Sequence, residues 1–234
     1  AYKQWGAKCL DKFNGHFAFA IWDKIKQELF LARDRYGTKP LYYTFAGPYF
    51  IFASEQKAIL THPAVKREID LEALLEYFTF QNLFSDKTLL KGIKLFPAGT
   101  YAFLPLSAMS QELRAIRYWD YNFQEPEHPV SRQEYIEELD RLFCQAVNRQ
   151  LISDVELGAY LSGGMDSGSI TAIVARQFPF LKSFTCGFDL HSASGLELGF
   201  DEREKAEYMS YLFKTEHYEM VLKAGDMERI LPKL

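Results

Sequence analysis

The chain has 234 residues, 48% hydrophobic and 25% charged, the balance of a globular protein with one large core or two small ones. Its net charge is −4 without a block of Lys or Arg, and its longest apolar run in the first half is Phe17–Trp22, which argues against nucleic acid and against a membrane as partners. Cys9, Cys144 and Cys186 are widely spaced and odd in number, which suits neither a disulfide framework nor a zinc site and points to a reducing, cytoplasmic setting.

The chain opens on Ala1–Trp5 without a Met or a signal peptide and stops at Ile230–Leu234 without a tail, so it is expected to be a segment of a longer protein. Phe17–Trp22 is predicted as a strand buried on both faces, paired with Glu28–Ala32 across the polar turn Asp23–Gln27. Arg33, Asp34, Arg35 and Lys39 then crowd a turn marked by Gly37 and Pro40. The simplest reading is a local Arg33–Asp34 ion pair that braces the turn, with Leu41 and Tyr43 in the core. Leu41–Phe45 and Tyr49–Ala53 form a second hairpin across Ala46–Pro48. Asp70 caps a helix with the apolar stripe Leu71, Leu74, Leu75 and Phe78, and Phe96–Phe103 returns to strand. Short strands joined by hairpins predict packed antiparallel sheets over residues 1–120.

Tyr121–Val130 is polar with two prolines and reads as a linker. Ser131 and Glu134 form a capping box, followed by a helical stripe of Ile136, Leu139, Phe143, Ala146 and Val147. Val155–Leu161 is a short strand, Ser162–Gly164 a small-residue turn, and a helix follows from about Asp166 through Ile170, Ile173, Val174 and Phe178. Leu181–Phe188 is the next strand. Asp201 with Glu204 caps a helix packed through Ala206, Met209 and Phe213, and Glu216–Leu222 is a third strand. Strands alternating with helices predict a parallel sheet with right-handed crossovers over 131–234. Ligands of such sheets bind at the carboxyl ends of the strands, where Ser162–Ser167 and Gly187 fall. Asp189–Gly199 reads as an insertion near that mouth or as a surface loop. His62, His128, His191 and His217 lack ligand-like spacing; His217 lies beside Glu216 and Glu219, but strand alternation separates their faces, and a solvated edge is expected there.

The stretch Ser162–Ser167 carries the chemistry. Glycines let the backbone approach an anion closely, the first N–H groups of the helix lack intrahelical partners, and Ser162 and Ser167 add hydroxyls. Asp166 is a carboxylate where an anion would sit, so it either caps the helix or holds a Mg²⁺ that bridges it to phosphates. The G-x-x-x-x-G-K form of the common phosphate loop is absent.

Ser162–Ser167 (S-G-G-M-D-S) resembles the pyrophosphate loop S-G-G-x-D-S of the ATP pyrophosphatases, which cleave ATP between its α- and β-phosphates, adenylate a substrate and release pyrophosphate. Phe13–Asp23 is similar to L-N-G-M-F-A-F-A-I-W-D, Arg33–Tyr43 to R-D-R-x-G-x-K-P-L-Y-Y, and Phe52–Ala58 to F-A-S-E-x-K-A; Phe96–Gly99 is F-P-A-G. Ser183–Phe188 resembles T-F-S-I-G-F, and Phe200–Glu202 is F-D-E. These phrases, in this order over almost the whole chain, resemble the glutamine-hydrolysing asparagine synthetases. The resemblance implies an α+β, antiparallel-sheet, Ntn-hydrolase-like part over 1–120, a linker over 121–130, and an α/β, parallel-sheet ATP-pyrophosphatase part over 131–234.

What the resemblance implies for residues is specific. Leu161, Ser162, Gly163, Gly164, Asp166, Ser167, Cys186 and Gly187 would bind ATP and pyrophosphate, with Leu161 and Cys186 holding the adenosine through their backbones and Asp166 as the metal ligand. Cys186 otherwise reads as an inert, buried strand thiol. An ammonia channel would be lined by His16, where the family commonly has Met, Thr38, where it commonly has Ile, and Leu161; His16 reads more simply as a satisfied core histidine. The family's glutaminase nucleophile, an N-terminal Cys with its own α-amine as base, and its glutamine-binding residues would lie upstream, and its later acidic S-G-E segment downstream. The stretch alone is therefore expected not to turn over. The implied reaction is amidation of a carboxylate, aspartate in the first instance, through an acyl-adenylate, with glutamine, ATP and Mg²⁺ as the other participants and a homodimer as one assembly open to it. Synthetases acting on sugar acids, β-lactam precursors or peptides share the plan, and a non-catalytic nucleotide-binding paralogue is the alternative from another class.

Overall fold

In the computed structural model, which describes residues 1–108, 113–189, 191 and 199–233, the chain divides into two units, Ala1–Glu125 and Pro126–Leu234. In the first, β1 (Ala18–Asp23) and β2 (Glu28–Arg33) form the expected antiparallel hairpin, from Ala18 opposite Arg33 to Asp23 opposite Glu28. The Asp23 carboxylate closes the turn by accepting from the Ile25 and Lys26 N–H groups at 3.0 and 3.1 Å. A second antiparallel sheet holds β3 (Tyr42–Ala46), β4 (Tyr49–Ala53) and β5 (Lys94–Leu95) in the order β4-β3-β5. β6 (Thr100–Pro105) then pairs with the far side of β2, and β7 (Ile116–Arg117) with β6, giving β1-β2-β6-β7. The strand expected over Phe96–Phe103 therefore starts only at Thr100, after a turn.

The strand buried on both faces is β2, not β1. Phe30 and Leu31 point to opposite faces and are 0% and 1% exposed. β1 is half-buried along most of its length, because it lies at the edge of its sheet. Hydrophobicity reads the same for a central strand and an edge strand. Phe30 packs with Cys9, Leu10 and Ala32 among the rings of Phe17, Phe19, Tyr101 and Phe103; Cys9 and Leu10 come from a 3-10 turn (Gly6–Lys12) that follows α1 (Tyr2–Trp5). On the other face, Leu31, Ala102 and Leu104 meet Leu41, Tyr43 and Phe96, so the two sheets share one core. Truncating Phe30 to Ala would cost about 3–5 kcal/mol.

After α2 (Gln56–Ile59), α3 (Leu71–Phe80) begins where Asp70 accepts from the Glu72 and Ala73 N–H groups at 3.1 and 3.0 Å. Its expected apolar stripe is not core. Leu71 and Phe78 are each 75% exposed, and the buried residue is Ala73. Periodicity identifies a helix face but not what covers it.

In the second unit, α4 (Arg132–Arg149) carries the capping box: the Glu134 N–H donates to Ser131 Oγ at 3.2 Å, and the Ser131 N–H to Glu134 Oε2 at 2.8 Å. Only the end of its stripe packs inward. Val147 is buried and Phe143 half-buried, while Ile136, Leu139 and Ala146 are exposed. β8 (Gly158–Tyr160), β9 (Lys182–Phe188) and β10 (Glu216–Leu222) form a parallel sheet in the order β10-β9-β8, with α5 (Met165–Ala175) and α6 (Arg203–Phe213) between them in sequence; α7 (Asp226–Ile230) follows. Val147, Val174 and Leu181 centre the core. β8 is shorter than the expected Val155–Leu161, although the Leu161 N–H still donates to the Phe184 carbonyl at 2.9 Å. α5 stops before Phe178, and its buried face is Gly168, Thr171 and Val174 rather than the isoleucine stripe. Among the described residues, no helix is long and apolar enough to cross a membrane.

Candidate functional site

The loop between β8 and α5 is tied by its two serines. Ser162 Oγ and Ser167 Oγ lie 2.9 Å apart, and the Ser162 N–H donates to Ser167 Oγ at 3.1 Å. Gly163 turns the chain with φ 74°, and a Cβ there would lie 2.4 Å from Lys205 Cβ. The loop therefore presses on the first turn of α6, and a side chain at 163 would meet both strain and a clash. Gly164 is the N-cap of α5 and offers no side-chain cap bond. The first N–H groups of α5, those of Met165, Asp166 and Ser167, face the loop end without helical partners, as at any helix start. The Leu161 N–H and carbonyl are both engaged by β9, the carbonyl accepting from the Thr185 hydroxyl.

Asp166 is exposed and stands in the first turn of α5, two residues past the N-cap. Its reading as the helix cap is thereby corrected. An unengaged carboxylate beside free helix N–H groups fits a Mg²⁺ whose other ligands are phosphate oxygens and water, since that ion commonly takes one or two carboxylates from the protein. Among the described residues, no three His, Cys, Asp or Glu side chains gather into a metal site.

The carboxyl end of β9 is gripped by a charged pair. Arg203 Nε donates to Asp201 Oδ1 and Oδ2 at 3.0 and 2.9 Å, and Arg203 Nη2 donates to Asp201 Oδ2 at 2.6 Å and to the Phe188 carbonyl at 3.0 Å. The Phe188 N–H donates to Asp201 Oδ2 at 3.3 Å. Hydrogen bonds from Arg203, aided by the Phe188 N–H, hold the Asp201 carboxyl at about 2. Asp201 is therefore no partner of Glu204 in a capping box, and the N-cap of α6 is Glu202. Gly187 has no room for a side chain: a Cβ would lie 2.3 Å from Arg203 Nε. Cys186 is exposed rather than buried, because alternation turns it with Phe184 to the outer face. There it lines a hollow of about 350 Å³ with Tyr160, Phe184, Tyr218 and Met220.

In the first unit, the charges crowded at the end of β2 bond to the backbone rather than to each other. Arg33 Nε, Nη1 and Nη2 donate to the carbonyls of Lys39, Phe96 and Gly37 at 2.9, 2.5 and 2.6 Å. Asp34, 1% exposed, accepts the N–H groups of Phe17 and Lys39 on Oδ2 at 3.2 and 2.9 Å, and those of Tyr36 and Thr38 on Oδ1 at 3.2 and 2.9 Å. The turn is braced as expected, but by these bonds in place of the Arg33–Asp34 ion pair. Asp34 thus gathers Phe17, next to His16, and Thr38 onto one carboxylate. His16 and Thr38 are both exposed, which corrects the reading of His16 as a core histidine.

His217 is also corrected. Its side chain is only 11% exposed, with Nδ1 2.9 Å from Ser183 Oγ and Nε2 3.7 Å from Glu219 Oε1. Two residues apart on one strand, His217 and Glu219 share a face; alternation separates only Glu216. Most of Asp189–Gly199 lies outside the described residues. Sequence reasoning missed Arg203 and the fourfold role of Asp34. The signals available were an Arg directly after F-D-E, and an Asp directly before a turn with Gly37 and Pro40, a position where Asp commonly accepts from nearby N–H groups.

Residues 1–119 match the family described as glutamine amidotransferase domain, and residues 138–234 match the asparagine synthase family. The chain is 37% identical over 238 residues to asparagine synthetase 3 (glutamine-hydrolyzing) of Bacillus subtilis, covering 97% of the chain and 38% of that protein. It is 31% identical over 236 residues to asparagine synthetase 1 of the same organism, covering 100% and 35%, and 31% identical over 247 residues to its asparagine synthetase 2, covering 99% and 31%. The chain thus spans a third or so of the length of these relatives. With an amidotransferase domain followed by a synthase domain along its length, the chain belongs to the glutamine-hydrolysing asparagine synthetase family.

Proposed function

We propose that this chain is the middle of an enzyme that transfers glutamine nitrogen to a carboxylate activated by ATP, with aspartate as acceptor and AMP and pyrophosphate as products. The observation that carries the reading is the Ser162–Ser167 clasp at the carboxyl end of β8, with the free N–H groups of α5 behind it. In this proposal residues 1–120 form an Ntn-type glutaminase part and 131–234 an ATP-pyrophosphatase part. The hydroxyls of Ser162 and Ser167 and the N–H groups at the start of α5 receive the β- and γ-phosphates and stabilise the charge that gathers on pyrophosphate as it leaves. The backbones of Leu161, Cys186 and Gly187 orient the adenosine. Of Leu161, the carbonyl keeps a lone pair for this, while its N–H is committed to β9. Asp166 would hold a Mg²⁺, which supplies charge neutralisation on the phosphates when bound.

The glutaminase nucleophile is proposed to lie upstream. Cys9 is 1% exposed and burial pushes its thiol up, the opposite of what a nucleophilic cysteine needs. Ammonia would pass His16, Thr38 and Leu161. The test is pyrophosphate release by the full-length protein with ATP against a panel of acids. Release with aspartate and formation of asparagine is expected. Release with another acid alone would replace the acceptor, and none with any acid would favour a nucleotide-binding paralogue.

A further inference from the structure

α6 touches the proposed nucleotide site at two places through one helical turn. At Arg203, its first residue, the aliphatic stem lies over Gly187 so closely that a Cβ there would fall 2.3 to 2.8 Å from Arg203 Nε, Cδ and Cγ. Two residues on, Lys205 and Ala206 lie against Gly163, whose Cβ would fall 2.4 Å from Lys205 Cβ and 3.1 Å from the Ala206 nitrogen. Gly187 belongs to the end proposed for adenosine, and Gly163 to the loop proposed for the phosphates. The separation of the two grips is therefore set by one turn of rigid helix.

The Arg203 end of this arrangement is held in one geometry. Asp201 receives the guanidinium on both oxygens, and the pair together takes both backbone polar groups of Phe188, the N–H on Asp201 and the carbonyl on Arg203. A bidentate fork of this kind fixes orientation as well as distance. The Arg203 side chain is 22% exposed and that of Asp201 11%, so solvent competes little with the pair. Arg203 Nε and Nη2 are both spent on Asp201 and on the Phe188 carbonyl, which fixes the plane of the guanidinium.

We infer that Arg203, locked by Asp201 across Gly187, is a positioning residue that sets the adenosine-side end of β9 at the distance from the Ser162–Ser167 loop that ATP requires. The inference rests on the nucleotide reading above. Loosening the pair lets the Cys186–Phe188 backbone drift relative to the phosphate loop, and a ligand that must be gripped at both ends loses affinity, whereas the acceptor acid does not span the two grips.

The test uses the full-length enzyme and initial rates of pyrophosphate release, varying ATP and acceptor separately. Arg203→Ala is expected to raise KM for ATP about tenfold, on the scale by which small misplacements weaken a site, with KM for the acceptor unchanged. Arg203→Lys should do the same, because an ammonium cannot span both Asp201 oxygens and the Phe188 carbonyl. Gly187→Ala should displace the Arg203 stem and raise KM for ATP by itself, and the double variant Gly187→Ala with Arg203→Ala should be no worse than the weaker single, since both break one device. If Arg203→Ala does not fold, Asp201→Asn, which keeps shape and one acceptor, takes its place with the same expectation. A wild type that turns over, with variants of unchanged KM for ATP or with fully additive effects, overturns this inference alone. A wild type that releases no pyrophosphate with any acid overturns the nucleotide reading and this inference together.

Discussion

Replacing Asp34 by Asn changes one atom in a fully buried side chain and should be costly. Each carboxylate oxygen accepts two backbone N–H groups, Phe17 and Lys39 on one, Tyr36 and Thr38 on the other. An amide keeps one oxygen and turns a donor toward the other pair, so in either orientation two part-buried N–H groups lose their acceptor. At about 1–3 kcal/mol per orphaned donor the loss is about 2–6 kcal/mol, a large share of the roughly 5–15 kcal/mol that holds a domain together. The assay is built into the chain: its three tryptophans, Trp5, Trp22 and Trp119, all belong to the unit Ala1–Glu125, so tryptophan fluorescence during urea denaturation reports that unit. The pH dependence has a definite sign. Burial by itself would raise the Asp34 carboxyl, but the N–H groups of Lys39, Thr38, Phe17 and Tyr36 together outweigh it and leave it below its usual 3.8. A depressed carboxyl stabilises the fold above its unfolded value and ceases to do so as pH falls through the folded one. The gap between wild type and Asp34→Asn should therefore be full near neutrality and narrow below about pH 4. A midpoint equivalent to less than about 0.5 kcal/mol of difference, the range of an ordinary surface change, or a gap that does not narrow in acid, would refute the reasoning.

Asp166→Ala should abolish acid-dependent pyrophosphate release in the full-length protein while costing less than about 1 kcal/mol of stability, since an exposed acid in the first turn contributes only through the helix dipole; near-normal turnover would remove Asp166 from the metal site. His16→Met should change the ratio of amide formed to glutamine hydrolysed and leave ammonia-dependent synthesis as it was; an unchanged ratio would dispose of a role in ammonia passage. The Tyr118 hydroxyl donates to the Arg33 carbonyl at 3.0 Å, and burial pushes its phenol up to about 12. Its contribution is present below the usual 10.0 and lost as pH rises through about 12. Tyr118→Phe should cost about 1 kcal/mol near neutrality and remove one late-titrating phenol from the ultraviolet titration; a loss of amplitude from the ordinary tyrosine phase instead would show that Tyr118 ionises with the exposed tyrosines.

Where one local rule dominates, the sequence was a sufficient guide. Asp70 and Ser131 cap helices because a short acceptor before an apolar run has few other uses, and the hairpin over β1 and β2 follows from two apolar runs around a polar turn. The parallel sheet was legible from alternation of element types, and the turn between β8 and α5 from its small residues Ser162–Gly164. What stayed hidden depends on partners distant in sequence. Leu71 and Phe78 have the spacing of core residues and lie exposed, since spacing carries no record of a covering surface. Asp34 looked like half of an ion pair because Arg33 is its neighbour, yet one of its four donors is Phe17, on the approach to β1. Arg203 showed only as an Arg directly after F-D-E, because its importance depends on Gly187, which the fold brings beneath it.

The chain leaves its first sheet after Arg33 and returns to it at Thr100, having built all of β3, β4 and β5 with α2 and α3 in between. The ends of this excursion meet, for the Asp34 carbonyl accepts the Gly99 N–H at 2.9 Å. It is a long loop closed at its base and packed on the first sheet through the shared core. The entropy of closing such a loop grows only with the logarithm of its length, about 0.6 kcal/mol for each doubling. Extra chain at the far tip, in the Ala46–Pro48 turn between β3 and β4, should therefore be tolerated, whether a tag, an engineered reporter or an inserted module, whereas one additional residue at the base would pull Asp34 and Gly99 apart and break the bond that closes the excursion.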